Sequence, residues 1–302
     1  MVQTKREIEA LLTAAGIRPK RRFGQHFLID GNLMRRLVEV ADIHPADLVL
    51  EVGAGTGGLT DLLLERAGGV VAVEIDHHLF ALLSERFAQA ASLTLVRGDA
   101  LDTKHRIATA VLQAIGSGRQ RASGALLLVA NLPYDIATPL LVNLILSDLN
   151  VKRLCFTVQR EVGERMEGRP GTKAYGPLSI LLQTLCRIER IARVPAEAFW
   201  PRPAVESSLY RLDVLEDPGV AGEAPAAFVA LVQAGFRHRR KTLRFNFDHA
   251  FGQAMCDRAG DVLDLSVRAE TLAPAQWVEL ARVMQTIDAT PVWPCGPSGP
   301  SE

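Results

Sequence analysis

Leu48-Val49-Leu50-Glu51-Val52-Gly53-Ala54-Gly55-Thr56-Gly57-Gly58 is the stretch on which the fold turns. A short apolar run without polar alternation is a strand covered on both faces, the habit of a parallel sheet. It ends in a Gly-rich turn, where backbone can turn tightly and approach a ligand closely. A helix over 58–67 follows. Downstream the pattern repeats: a strand over 69–73 ending at Glu74, a helix over 77–90, and a strand over 93–96 ending near Asp99. Residues 103–124 form a long connection containing a helix over 106–115. A strand over 125–130 then ends at Asn131, a helix covers 137–148, and a fifth strand covers 153–158.

Upstream, residues 5–15 read as a short amphipathic helix and 16–27 as a basic loop. Residues 30–42 are helical, with Leu33, Leu37, Val38 and Ala41 at helical spacing. Beyond the fifth strand, 178–189 reads as a helix and 205–214 has the alternation of a strand that closes the sheet. The segment 216–226, rich in Pro, Gly, Ala and acid, reads as a linker. Residues 227–288 are helical, and the Pro/Gly/Ser-rich tail 291–302 is expected to be disordered. The fold class is therefore α/β, a doubly wound and mostly parallel sheet with a small C-terminal all-helical domain. The expected domains are 1–215 and 226–290.

The chain has 302 residues, 48% hydrophobic and 23% charged, within the globular range. Lys and Arg number 34, as do Asp and Glu, so net charge gives no hint of a polyanionic partner. The distribution does. Residues 1–36 carry eight Lys or Arg against three acids, and residues 235–244 carry five and no acid. Cys155, Cys186, Cys256 and Cys295 form no C-x-x-C pair, which argues against a metal site or a disulfide framework. No apolar signal core opens the chain, and no apolar run approaches the ~18–20 residues of a membrane span. A soluble cytoplasmic protein with no metal is expected.

In open α/β sheets, ligands bind beyond the carboxyl ends of the strands. Four polar features of this chain stand there. Gly53, Gly55 and Gly58 satisfy G-x-G-x-x-G, a weak signal alone. Glu74, at the end of the next strand, can accept from both hydroxyls of a ribose, in a dinucleotide and in S-adenosylmethionine alike. Asp99 can accept from an adenine amino group, or simply form a turn. Asn131-Leu132-Pro133-Tyr134 is the most specific. An exocyclic adenine nitrogen is a poor nucleophile because its lone pair is delocalised into the ring. The Asn131 side-chain oxygen and the Leu132 carbonyl can accept its two hydrogens and aim that lone pair at a methyl donor. Pro133 stiffens the turn and Tyr134 can stack on the base.

These motifs together resemble the Rossmann-like methyltransferases, and among them the ribosomal RNA adenine dimethyltransferase family. Arg22-Phe23-Gly24-Gln25-His26-Phe27-Leu28 is similar to its N-terminal cofactor motif. Residues 51–60, 73–76, 98–101 and 131–134 are similar to the next four. The segments 159–162, 173–179, 199–203 and 237–244 resemble its later signatures. The resemblance implies S-adenosyl-L-methionine as cofactor, with contacts at His26, Leu28, Gly53, Glu74, Asp99, Ala100 and Asn131. Gln25, which orders that loop, Gly55 and Gly57 of the turn, and Ile75 beside Glu74 are expected to bind the cofactor too. It implies Phe199 facing the target base opposite Tyr134, or else packed in the core. RNA is expected at Arg21, Arg22, Arg237, Arg239, Arg240 and Lys241, although such a patch can also be a solvated helix face. The implied activity is dimethylation of adenine N6 in small-subunit rRNA, in the maturing subunit, by a monomer without membrane attachment. His26 stands where the family has Asn, and Asp135 where it has Asn or Ser.

Three other functions share parts of the pattern. A dehydrogenase would use the glycine turn and Glu74 but gives residues 131–134 no role. A large-subunit rRNA adenine methyltransferase would share the chemistry; segments 173–179 and 199–203 favour the small-subunit enzyme. A non-catalytic RNA-binding assembly factor would not need Glu74, Asp99, Asn131 and Tyr134 intact.

Overall fold

The computed structural model describes residues 3–19, 24–217 and 225–285; Arg21, Arg22, most of the 216–226 linker and the 291–302 tail lie outside them. The N-terminal half runs α1 Lys5–Ala14, β1 Phe27–Leu28, α2 Gly31–Ala41, β2 Leu48–Val52, α3 Gly58–Leu64, β3 Gly69–Glu74, α4 His77–Arg86 and β4 Leu93–Arg97. Then come β5 Leu101–Thr103, β6 Arg106–Ile107, α5 Thr109–Arg119, β7 Leu126–Asn131, α6 Ala137–Leu146 and β8 Val151–Gln159. After these follow α7 Arg160–Met166, α8 Pro177–Leu185, β9 Cys186–Val194, β10 Phe199–Trp200 and β11 Ser207–Val214. The C-terminal unit is α9 Pro225–Phe236, α10 Leu243–Phe251, α11 Gln253–Val262 and α12 Pro274–Gln285.

The main sheet is seven-stranded, in the order β4-β3-β2-β7-β8-β11-β9. The first five of these are mutually parallel, and β11 runs antiparallel to both its neighbours. The chain leaves β2 towards one edge and returns to place β7 on its other side. That reversal opens a crevice at the carboxyl ends of β2 and β7.

Successive strand residues face opposite sides of the sheet, and each side has its own core. Leu48, Leu50, Val52, Leu126, Leu128, Leu154 and Phe156 join the cluster that includes α5, α6 and α8. Val49, Leu127, Val129 and Cys155 join the cluster of α2 and α3. The same parity puts Asn131 and Thr157 on that second side. A third, smaller cluster of Ile8, Leu12, Ile17, Phe27 and Leu79 docks α1 against β1 and α4. α1 begins in a capping box: the Thr4 hydroxyl accepts from the Glu7 backbone, and the Glu7 carboxylate accepts the Thr4 N–H at 2.6 Å.

Several expectations need correction. The helix placed over 178–189 ends at Leu185, and Cys186–Val194 is a nine-residue edge strand. Its pattern is broken because β9 pairs only with β11 and leaves much of its length exposed. The helix placed over 106–115 is Thr109–Arg119, preceded by the β5–β6 hairpin. Residues 16–27 are not all loop: Phe27–Leu28 pairs with Phe199–Trp200 in a ribbon that ties the N-terminal segment to residues 199–200. The expected strand over 205–214 does close the sheet, as β11.

Candidate active site

The turn after β2 is built by its neighbours. Gly53 N–H and Ala54 N–H donate to the Val73 carbonyl at 2.9 and 3.2 Å, pinning the turn to β3. Gly53 and Gly55 have φ of 82° and 61°, where a side chain is strained. A Cβ on Gly53 would come within 3.1 Å of Pro133, and one on Gly55 within 3.1 Å of the Phe27 ring. These two glycines therefore keep open a cradle between the turn, the 131–134 loop and β1. Gly57 does otherwise: a Cβ there would overlap Phe87 and Leu83, so it serves packing against α4 and does not line the cavity.

Two buried carboxylates flank the cradle. Glu74 is 4% exposed, and its oxygens accept Gly55 N–H at 2.8 Å and Asp76 N–H at 2.9 Å. Burial lifts its carboxyl from 4.5 to about 7, against the pull of those N–H donors. A carboxylate has about four acceptor sites, so hydroxyl donors from a ligand can still bind and restore its charge. Glu51 is 1% exposed and accepts the Thr60 hydroxyl at 2.6 Å. Burial pushes it to about 8, opposed by Thr60 and reinforced by the charge of Glu74.

Asn131 is held on both sides of its amide. Nδ2 donates to the His26 carbonyl at 2.8 Å, and Oδ1 accepts the Thr157 hydroxyl at 2.5 Å. A carbonyl only accepts, so the His26 contact fixes which end of the amide is nitrogen. Thr157 is 1% exposed and lies directly beside Asn131 in the parallel β7–β8 register. It takes one lone pair of Oδ1 and leaves the other available. The Tyr134 ring stacks on His26 with centroids 5.5 Å apart, and its hydroxyl lies 2.9 Å from Ser207 Oγ. His26 Nδ1 donates to the Pro201 carbonyl at 2.6 Å.

These groups line one open cavity beyond the carboxyl ends of β2, β3 and β7. Gln25, His26, Leu28, Gly53, Gly55, Glu74, Ile75, Asn131, Leu132, Pro133 and Tyr134 all contribute to its wall. Gln25 Nε2 also donates to Asp76 at 3.4 Å. A smaller cavity adjoins it across Gly53, Ile75 and Pro133, and holds Asp99, Ala100 and Asp135. Asp99 accepts Leu101 N–H at 3.0 Å, so it forms a turn and lines the cavity at once. Phe199 must be corrected. It is 2% exposed, packs with Leu28, Val194 and Leu209, and lines neither cavity. The ribbon to β1 turns it into the core. Arg237, Arg239, Arg240 and Lys241 are exposed on the loop before α10, with Arg239 paired to Glu270 at 2.9 Å.

Sequence patterning overlooked two parts of the site. Thr157 sits inside a buried strand and carries no local signal. Gln3 caps the cradle from the N-terminus: its Oε1 accepts the Thr56 hydroxyl at 2.5 Å, and its Nε2 donates to the Thr56 carbonyl at 3.2 Å.

The sequence pattern of the family described as ribosomal RNA adenine dimethylase matches residues 16–286. Ribosomal RNA small subunit methyltransferase A of Moorella thermoacetica is 38% identical over 281 residues, 91% of this chain and 96% of that protein. Its namesake in Magnetococcus marinus is 39% identical over 281 residues, covering 91% and 95%. Among solved structures, a dimethyladenosine transferase from Plasmodium falciparum superposes with a TM-score of 0.69 at 24% identity, over 86% of this chain and 98% of that one. The 23S rRNA methyltransferase ErmE superposes at 0.61 with 22% identity, over 86% and 99%. At these identities the two structures speak for the fold.

Proposed function

The chain belongs to the ribosomal RNA adenine dimethylase family, and from that premise we infer that it dimethylates adenine N6 in small-subunit rRNA with S-adenosylmethionine. The residues present fit that cofactor. Gly53 and Gly55 leave a cradle that a Cβ would fill, and Glu74 is a buried carboxylate with acceptor sites to spare. Gln25, His26, Leu28, Ile75, Asp99 and Ala100 complete the binding wall. The bound cofactor supplies an electrophilic methyl group.

The protein's task is to aim a weak nucleophile. The remaining lone pair of Asn131 Oδ1 and the Leu132 carbonyl accept the two hydrogens of the adenine amino group. Its nitrogen lone pair then points out of the ring plane, towards the methyl. The base lies against Tyr134. Both acceptor dipoles are fixed before substrate arrives, so they stabilise the positive charge growing on nitrogen without reorganising. The methylated amine then releases its proton to water, and no side-chain base is required.

The observation that supports this chemistry most directly is the two-sided grip on the Asn131 amide. We assign Arg21, Arg22, Arg237, Arg239, Arg240 and Lys241 to RNA phosphates, and residues 226–290 to the unit that presents the last four. Among the described residues no helix is long and apolar enough to cross a membrane. Incubation of unmethylated small subunits with enzyme and S-adenosylmethionine should yield N6,N6-dimethyladenosine by mass spectrometry of nucleosides. Asn131→Ala should lower the rate at least about a hundred-fold, the usual scale for losing an oriented dipole at a charge-developing centre, with RNA still bound. Wild-type enzyme that leaves adenine unmodified would remove the catalytic reading in favour of an RNA-binding assembly factor. The active species is proposed to be a monomer; a dimer in sedimentation of the active fraction would contradict that.

A further inference from the structure

Phe245 is out of place for a folding role. It lies in the first turn of α10 and is 44% exposed, while Phe247, two residues on, is fully buried against Trp277 and Phe251. Its ring lies in the company of planar groups. His249, one turn later, is parallel to it within 5° at 6.1 Å, and His238 meets it edge-on at 5.6 Å. The Lys241 ammonium sits 5.2 Å from the ring centroid.

This cluster is held rigidly from beneath. Asn246 is 1% exposed; its Oδ1 accepts His238 N–H at 3.0 Å, and its Nδ2 donates to the Gly235 carbonyl at 2.9 Å. Lys241 N–H closes the loop on the His238 carbonyl at 2.8 Å. The surroundings are cationic. Of Arg237, Arg239, Arg240, Lys241 and Arg244, only Arg239 and Arg244 meet a carboxylate among the described residues, at Glu270 (2.9 Å) and Asp257 (4.0 Å). Asp248 is the one acid of α10 itself.

An exposed aromatic ring with an ammonium beside it, in a segment rich in cations, suits a polyanion that also carries flat apolar faces. We propose that Phe245, flanked by His238 and His249, is a stacking platform for an unpaired nucleobase of the RNA, while the surrounding cations hold its phosphates. The proposal rests on the RNA-binding function above and adds to it a preference for unpaired over fully paired RNA at this surface. A duplex offers its phosphates to the cations but keeps its base faces stacked inside.

Full-length wild type, Phe245→Ala, Phe245→Trp and Lys241→Gln can be titrated with oligoadenylate and with an RNA duplex of equal length, at several salt concentrations. Phe245→Ala should bind oligoadenylate roughly ten-fold more weakly, the size of one base–aromatic stack. Its salt slope and its duplex affinity should not change. Phe245→Trp should bind as wild type, and Lys241→Gln should show a shallower salt slope on both RNAs. Unchanged oligoadenylate binding by Phe245→Ala, or an equal loss on duplex, would overturn the proposal. A loss seen only with intact small subunits would assign the ring to a ribosomal protein and overturn it too. Wild type that binds neither RNA would remove the RNA function itself, a result separate from any effect of Phe245.

Discussion

Thr157 and Glu51 show how single buried side chains set the chemistry of the crevice. Thr157 touches neither the base nor the cofactor in the proposed arrangement; it acts through Asn131. Removing its hydroxyl leaves the Asn131 amide held from the His26 side alone. One neutral hydrogen bond contributes ~1 kcal/mol, so Thr157→Val should lower kcat roughly five-fold while KM for RNA and for cofactor stays put. Thr157→Ser should recover most of the rate. A Val variant with unaltered kcat, or one whose KM rises in step, would show that the threonine merely fills space. Glu51 carries a pH signature. Its carboxyl titrates at about 8 in the fold against 4.5 for the ordinary group. Between those values the native state holds a proton that the unfolded chain has lost, so stability declines as pH rises through that window. Glu51→Gln cannot ionise and still accepts from Thr60. It should match wild type near pH 5 and melt several degrees higher at pH 8.5; equal Tm values throughout would mean that Glu51 is already charged.

Among the elements, α8 is the most informative. Leu178, Ser179, Ile180, Leu181, Leu182, Thr184 and Leu185 are all buried, so this helix has no solvent face. It packs against α6 and α7 on one side and against α9 and α12 on the other. A helix apolar all round is an interior helix, and here it joins the sheet domain to the helical unit. The run of leucines also explains why the sequence pattern carries the helix past its end: helical spacing overruns Leu185, and only pairing with β11 turns Cys186–Val194 into a strand. In the helical unit α9 and α12 meet closely at Gly235. A Cβ on Gly235 would fall 2.3 Å from the Trp277 ring, which is fully buried between Phe236 and Phe247. Forcing extra volume into such a contact costs about 1–3 kcal/mol. Gly235→Ala should therefore lower Tm by several degrees; a change within one degree would show that α9 and α12 can move apart freely.

Across the whole molecule, one apolar cluster continues from Leu48 in the sheet to Trp277 in the C-terminal unit. The proposed division into 1–215 and 226–290 is thus a division of roles more than of cores. The loop before α8 strengthens the union: the Tyr175 hydroxyl donates to the Leu272 carbonyl at 2.5 Å, and Gly171 N–H donates to the Glu270 carbonyl at 2.7 Å. The 237–241 patch is therefore carried on a body packed directly on the catalytic domain. Net charge is zero, so in the proposed function RNA phosphates are met by local basic patches, this one among them. Reversing Arg239, Arg240 and Lys241 should weaken RNA binding and flatten the dependence of log K on log salt by about 0.7 per lost phosphate contact on single strands. An unchanged slope would place the RNA elsewhere.

The sequence alone determined the parallel strands, the doubly wound class of the sheet and the four strand-end features, because apolar runs and glycine turns are local signals that survive any packing. It also placed Glu74, Asp99 and Asn131 at the same end of the sheet, since parallel strands send their carboxyl ends the same way. Tertiary structure decided what depends on partners far away in the chain. Thr157 meets Asn131 only because β8 lies beside β7, Gln3 reaches Thr56 only because α1 folds back, and Phe199 turns inward only because β10 pairs with β1. A side chain's neighbours across a sheet are set by strand order and register, and no stretch of adjacent residues encodes them.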